Sequence, residues 1–80
     1  MTERIFVDTN VLVYSFDRRE PKKLERAKQW LQHLWLVRSG RISYQVLLEF
    51  YAIVTRKLKP GMDPETARNV VRTLLAWQHE

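Results

Sequence analysis

The 80-residue chain contains no cysteine, only two glycines and no long run of apolar residues. Without cysteine it can form neither a disulfide nor a thiolate metal site, and it has no cysteine nucleophile. Its apolar stretches fall well short of the roughly 20 residues that a membrane-spanning helix needs, and its N-terminus lacks the pattern of a signal peptide. The sequence therefore predicts one small globular domain with a cytoplasmic location and no membrane partner.

Positive charge is in excess, with 14 lysines and arginines against nine acidic residues and a net charge of +5. Such a surplus favours a polyanionic partner, of which nucleic acid is the commonest. A basic cluster formed by Arg18, Arg19, Lys22 and Lys23 contains the candidate phosphate contacts. The alternative is that these cations are only a solvated surface.

The segment from Ile5 to Asn10 joins a short apolar run to a polar triplet. Two β-branched residues flanking Phe6 predict a strand of a parallel sheet that is covered on both faces. In open α/β sheets the carboxyl edge binds ligands, so Asp8 is a candidate ligand for a hard cation. Alternatively, Thr9 or Asn10 caps the following helix and Asp8 stabilises its positive end.

Apolar spacing predicts three long helices after a short one at residues 11–16. The first covers residues 22–37, with Trp35 in its apolar stripe, and the second covers residues 44–58. The third begins at Pro64, because Asp63 is a suitable N-cap and proline is favoured at the first helical position.

A second short strand is predicted over residues 41–44, between the first and second long helices. Gly40 precedes it and suits the left-handed conformation that ends many helices. The strand–helix–strand order predicts that the two strands run parallel and are joined by a right-handed crossover. The predicted fold class is therefore α/β.

Glu49 stands out because residues 46–54 are otherwise apolar, which predicts a helix that is buried on most sides. A carboxylate on such a helix must find hydrogen bonds, a cation or a metal. It could instead reach a solvent gap or pair with Arg41 or Arg56. Taken with Asp8, however, Glu49 gives two acids at one crevice edge, as a divalent-cation site requires.

Residues 6–14, FVDTNVLVY, and residues 42–57, ISYQVLLEFYAIVTRK, together resemble the N-terminal part of a PIN domain. The resemblance is closest to the bacterial VapC-like toxin ribonucleases and covers essentially the whole chain. It implies a PIN-like (Rossmann-like) parallel sheet with flanking helices, truncated after the third long helix. Residues 1–80 would then be the N-terminal portion of a single PIN domain.

The resemblance also implies a Mg²⁺-dependent (or Mn²⁺-dependent) endoribonuclease, in which a metal-activated water attacks an RNA phosphodiester. Asp8 and Glu49 would be its catalytic and metal-binding acids, while Thr9, Asn10 and Ser43 would support them. The expected partners are an RNA substrate and a cognate antitoxin protein.

The sequence departs from the family pattern in its acids, since PIN domains carry further acids, usually Asp, in their second half. Asp63 is the only Asp after Glu49, and it lies in a helix-cap context. This form is therefore expected to lack part of the active site. Uncovered strand edges and apolar surface would also favour a homo-oligomer.

Two other functions share part of this sequence pattern. The first is a non-catalytic, basic PIN remnant that binds RNA or protein, for which Trp30, Trp35 and Trp77 could anchor a partner. The second is a haloacid-dehalogenase-type phosphatase, which needs an Asp two residues after Asp8. Asn10 occupies that position and argues against the phosphatase.

Overall fold

The computed structural model describes residues 4–58 and 60–78. Within them, a two-stranded sheet and four α-helices form a mixed α/β fold, which confirms the predicted class. The order is β1 (Ile5–Phe6), α1 (Thr9–Tyr14), α2 (Pro21–Leu36), β2 (Gly40–Arg41), α3 (Tyr44–Arg56) and α4 (Pro64–Leu74), then a 3₁₀ turn (Leu75–Gln78). No helix in this part of the chain has both the length and the apolarity needed to cross a membrane.

The two strands run parallel, as the strand–helix–strand order predicts. In register, Ile5 faces Gly40 and Phe6 faces Arg41. One residue further on, the Val7 amide donates to the Arg41 carbonyl at 2.9 Å, so the pairing continues past β1. Both strands therefore end at the same edge of the sheet, where Asp8 and Ser43 lead into helices.

The sheet is shorter than predicted and is covered on one face only. Val7 is buried, whereas 72% of the Phe6 side chain is exposed. Successive strand residues point to opposite faces, so the described helices cover the Val7 face and leave the Phe6 face open. The prediction of a sheet covered on both faces was wrong.

The end of α2 also differs from the prediction. Arg38, with φ 58°, adopts the left-handed conformation there, and Gly40 does not. Gly40 is needed for another reason, because a Cβ at this position would overlap the Trp77 ring and lie 3.2 Å from Leu34 Cβ. Trp35, which the sequence places in the apolar stripe of this helix, is half exposed, and its ring lies 5.2 Å from that of Trp77.

The core is centred on one face of α3. Its largest fully buried side chains are Leu12, Leu34, Leu47, Phe50 and Val54. The opposite side of α3 is open, with Tyr44 64% and Leu48 56% exposed. The prediction that α3 is buried on most sides was wrong, because α1 and α4 pack against only part of its circumference.

The predicted start of α4 is confirmed. Asp63 is its N-cap, and the Asp63 carboxylate accepts hydrogen bonds from two amides of the first turn at 3.1 and 3.3 Å. Pro64 is the first helical residue, where its missing N–H costs nothing. Helix α4 then packs against α3 with its apolar stripe facing the core, so Ala67 and Leu74 are buried.

Candidate metal centre

The carboxyl edge of the sheet collects the polar residues that the sequence singled out. Asp8 and Thr9 follow β1, Ser43 follows β2, and Glu49 lies in the second turn of α3. Helices α1 and α3 both begin at this edge and pack against each other. The two candidate acids, 41 positions apart in the sequence, are thus brought to one part of the surface.

A hydrogen bond joins the two helices at this edge. The Thr9 hydroxyl donates to Glu49 Oε1 at 3.4 Å, and Glu49 is exposed. A bond of this length at the surface contributes little stability, but it does favour one orientation of the carboxylate. Glu49 is therefore positioned beside the residue that follows Asp8, and it meets solvent rather than a sealed core.

Asp8 occupies the N-cap position of α1 with extended backbone angles, φ −75° and ψ 148°. Its side chain makes no capping hydrogen bond to the helix. The N-caps of α3 and α4 differ from Asp8 in this respect. Ser43 Oγ accepts a hydrogen bond from an α3 amide at 3.1 Å, and the Asp63 carboxylate accepts one from an α4 amide. Asp8 thus does not serve as a side-chain cap, and its carboxylate remains at the edge for another partner.

Of the residues predicted to support the acids, Thr9 contacts Glu49 directly. Asn10 is exposed in the first turn of α1. The Ser43 hydroxyl, by contrast, is occupied in capping α3. Ser43 therefore contributes to the edge by fixing where α3 begins, six residues before Glu49.

The donor set at this edge consists of oxygen atoms, which suits a hard cation. Mg²⁺ keeps several of its waters and is commonly bound by only one or two carboxylates together with substrate phosphates. Among residues 4–58 and 60–78, no group of three or more acidic, histidine or cysteine side chains could hold a metal. The chemistry of Asp8 and Glu49, two carboxylates at one edge, suits an open ion site completed by water and not a closed protein cage.

The basic cluster lies beyond the opposite end of α1 from Asp8. Helix α1 has six residues and is about 9 Å long at 1.5 Å per residue. Arg18 and Lys22 are exposed, while the Lys23 ammonium lies 4.9 Å from the centre of the Tyr14 ring. The role of this cluster in binding RNA remains a prediction.

Arg19 pairs with Asp17. Its Nε donates to Asp17 Oδ1 at 3.1 Å and its Nη2 donates to Oδ2 at 3.3 Å, and the Arg19 amide also donates to Oδ1. These hydrogen bonds lower the pKa of the Asp17 carboxyl and raise the pKa of the Arg19 guanidinium. Arg19 consequently brings less net positive charge to this surface than its neighbours do.

Sequence reasoning missed Lys28, which lines a cavity together with Arg18 and Arg19. The available signal was its position four residues after Leu24, which places both side chains on one face of α2. That signal does not reveal the two other segments that close the cavity.

Comparison with known proteins gives one family. The model for the PIN domain matches residues 5–79, which include every candidate site residue at the sheet edge. No curated protein and no solved structure gave a significant match.

Proposed function

This chain belongs to the PIN-domain family, and from that premise we propose that it is a metal-dependent endoribonuclease of the VapC toxin type. PIN domains are generally nucleases. The finer assignment is supported by the motifs around Asp8 and Glu49, and by a net charge of +5 that favours an RNA backbone.

The observation that carries the proposal is the state of Asp8. It follows a parallel strand at the edge of an α/β sheet where ligands bind, yet its carboxylate does not cap the helix that it precedes. Glu49 is held at the same edge by Thr9. This arrangement is expected of a ligand pair and is not needed for the stability of α1.

In the proposed reaction, Asp8 and Glu49 would hold Mg²⁺ or Mn²⁺. The ion would supply Lewis-acid stabilisation and lower the pKa of a bound water. Thr9 orients Glu49, and Asn10 supports Asp8. In this hydrolysis a water oxygen would form a bond to phosphorus as a bridging P–O bond breaks. A carboxylate oxygen of the site would accept the proton of that water, and solvent would supply a proton to the leaving oxygen. Arg18, Lys22 and Lys23 bind neighbouring phosphates, with Arg19 contributing less because of Asp17.

Two carboxylates alone would bind the ion weakly, so we propose that full activity needs further acids. These would come from sequence beyond this chain, if residues 1–80 are the N-terminal portion of a longer PIN domain, or from a second copy. A single-ion site predicts slow cleavage that depends on a high concentration of metal.

The test is cleavage of a fluorogenic single-stranded RNA with Mg²⁺, with Mn²⁺ and with a chelator. Asp8→Asn and Glu49→Gln should each abolish metal-dependent cleavage, because each removes a ligand charge. Thr9→Val should slow it by about 10- to 100-fold, as is typical when a group that orients a ligand is lost.

Asp63→Asn is the matched control, since it makes the same change at another N-cap and keeps a capping side chain. It should cleave like the unmodified chain. Cleavage that survives Asp8→Asn, or that does not require a metal, would contradict the proposal.

The toxin assignment makes a cellular prediction as well. Expression in the bacterial cytoplasm should arrest growth, and a cognate antitoxin that covers the acidic edge should relieve the arrest. Asp8→Asn should be harmless without an antitoxin. If the Asp8→Asn variant arrested growth as strongly as the unmodified chain, toxicity would not depend on the metal centre.

Exposed apolar side chains support the second candidate, a non-catalytic PIN remnant that binds RNA or protein and oligomerises. Phe6, Leu36, Tyr44 and Leu48 are each more than half exposed. Tyr44 and Leu48 lie four residues apart on the open side of α3, where a second copy could pack.

Light scattering over a range of concentrations tests this alternative. A dimer that Leu48→Lys dissociates, combined with RNA binding that Asp8→Asn leaves intact and no cleavage under any metal condition, would favour the remnant. A monomer that cleaves RNA would exclude it.

A further inference from the structure

A cavity of about 440 Å³ lies between the loop after α1, helix α2 and the turn that follows α3. This is within the size range of small-ligand sites. Its lining includes the cations Arg18, Arg19 and Lys28. None of the residues at the acidic edge lines it, so it is separate from the proposed metal centre.

The charge of the cavity is positive even after its one acid is counted. Asp17 is 6% exposed, and both of its oxygens accept hydrogen bonds from Arg19. The Asp17–Arg19 pair is therefore close to neutral. Arg18 and Lys28 supply the surplus, which makes the cavity attractive to an anion.

The remaining walls are largely apolar. Leu24, Leu58 and Met62 are partly buried along them. The Phe16 ring, 5.6 Å from that of Phe50, packs on the core, yet 37% of Phe16 is exposed. An apolar wall with an accessible aromatic ring and a cationic rim suits a nucleotide, whose base stacks while its phosphate meets the cations.

The position of the cavity fits an RNA strand that also reaches the metal centre. Ser15 and Phe16 line it directly after α1, and Asp8 precedes α1. The helix is about 9 Å long, so the cavity and Asp8 lie toward opposite ends of α1. A strand bound in the cavity could therefore extend along α1 to the metal centre.

We propose that this cavity is a subsite for single-stranded RNA. It holds one nucleotide away from the cleaved bond, with the base on Phe16 and the phosphate bound by Arg18 and Lys28. The inference rests on the proposed ribonuclease function, and it adds a base-stacking pocket and a phosphate ligand, Lys28, on a second element.

The test is fluorescence anisotropy with a labelled single-stranded RNA of about eight nucleotides, in a chelator so that no cleavage occurs. Affinity is measured over a series of salt concentrations. Each lost phosphate contact on a single strand lowers the slope of log K against log salt by about 0.7. Arg18→Gln combined with Lys28→Gln should therefore reduce the slope by about 0.7, because the two side chains bind one phosphate.

Phe16→Leu, which keeps an apolar side chain against Phe50, tests the stacking contact. It should weaken binding by about 5- to 150-fold, the range for one stacked base, and leave the salt slope unchanged. The charge-matched control is Arg26→Gln combined with Arg72→Gln. Both of these arginines are exposed and lie outside the cavity lining.

An equal fall in slope for the control pair would show that the chain binds RNA only through its overall charge, and would overturn the subsite. An unchanged slope in the Arg18/Lys28 variant, or no RNA binding at all, would also overturn it. Because the assay needs no cleavage, intact RNA binding through the cavity without nuclease activity would reject only the proposed function. Cleavage with an unchanged slope would reject only the subsite.

Discussion

Replacement of Ser43 by alanine is expected to destabilise the protein, while the same replacement at Asp8 is expected to have little effect. Ser43 Oγ accepts a hydrogen bond from the Val46 amide at 3.1 Å, which satisfies one of the free donors of α3. Loss of such a cap costs about 1 kcal/mol. In a domain of this size that lowers Tm by about 4–8 °C.

Asp8 has the same N-cap position on α1 but makes no capping bond through its side chain. Asp8→Ala should therefore change the free energy of unfolding by less than about 0.5 kcal/mol, as exposed substitutions usually do. Thermal unfolding followed by circular dichroism measures both variants. Asp63→Ala is the positive control, because Asp63 caps α4 with two hydrogen bonds.

The contrast separates a structural role for Asp8 from a functional one. A fall in Tm for Asp8→Ala as large as those for Ser43→Ala and Asp63→Ala would show that Asp8 caps α1 in solution. The reasoning that its carboxylate is left for a metal would then be refuted.

Three further predictions concern packing and charge. Gly40→Ala should cost about 1–3 kcal/mol and alter tryptophan fluorescence, because the new Cβ would overlap the Trp77 ring. Phe50→Ala should cost about 3–5 kcal/mol in urea unfolding, because Phe50 is fully buried. The Arg19 hydrogen bonds hold the Asp17 pKa below its usual value of about 3.9. The stability they add is therefore complete above about pH 4 and is lost as the pH falls through the lowered pKa, which NMR titration can follow.

Each of these has a control or a contrary outcome. Leu48→Ala removes an exposed side chain from α3 and should cost far less than Phe50→Ala. Unchanged fluorescence and stability in Gly40→Ala would contradict the close approach of Trp77. Asp17→Asn should abolish the part of the pH dependence of stability that the Asp17–Arg19 pair contributes. An Asp17 pKa at its ordinary value would contradict the hydrogen bonds to Arg19.

Local signals predicted much of the framework. The Asp63–Pro64 pair located the start of α4, because capping and the proline preference act within a few residues. The spacing of apolar residues predicted both ends of α2 and of α3 to within two residues. Asp8 was predicted from its place after a strand and Glu49 from its place on an otherwise apolar helix, and the fold brings both to one edge.

What the sequence did not reveal depends on contacts between distant segments. Gly40 looked like a helix terminator, but its constraint comes from Trp77, 37 positions later. Arg38 took the left-handed conformation although non-glycine residues seldom do. The pocket at Lys28 needs three separate segments to close, and neither spacing nor composition reports that.

A Mn²⁺ titration followed by NMR tests the central claim most directly, because the paramagnetic ion broadens only the amide signals near its binding site. The account predicts early broadening around residues 8–10 and 43–49, and its loss in Asp8→Asn and in Glu49→Gln. Asp63→Asn should leave the broadening intact. Broadening centred elsewhere, or broadening at this edge that survives both substitutions, would contradict a metal centre built on Asp8 and Glu49.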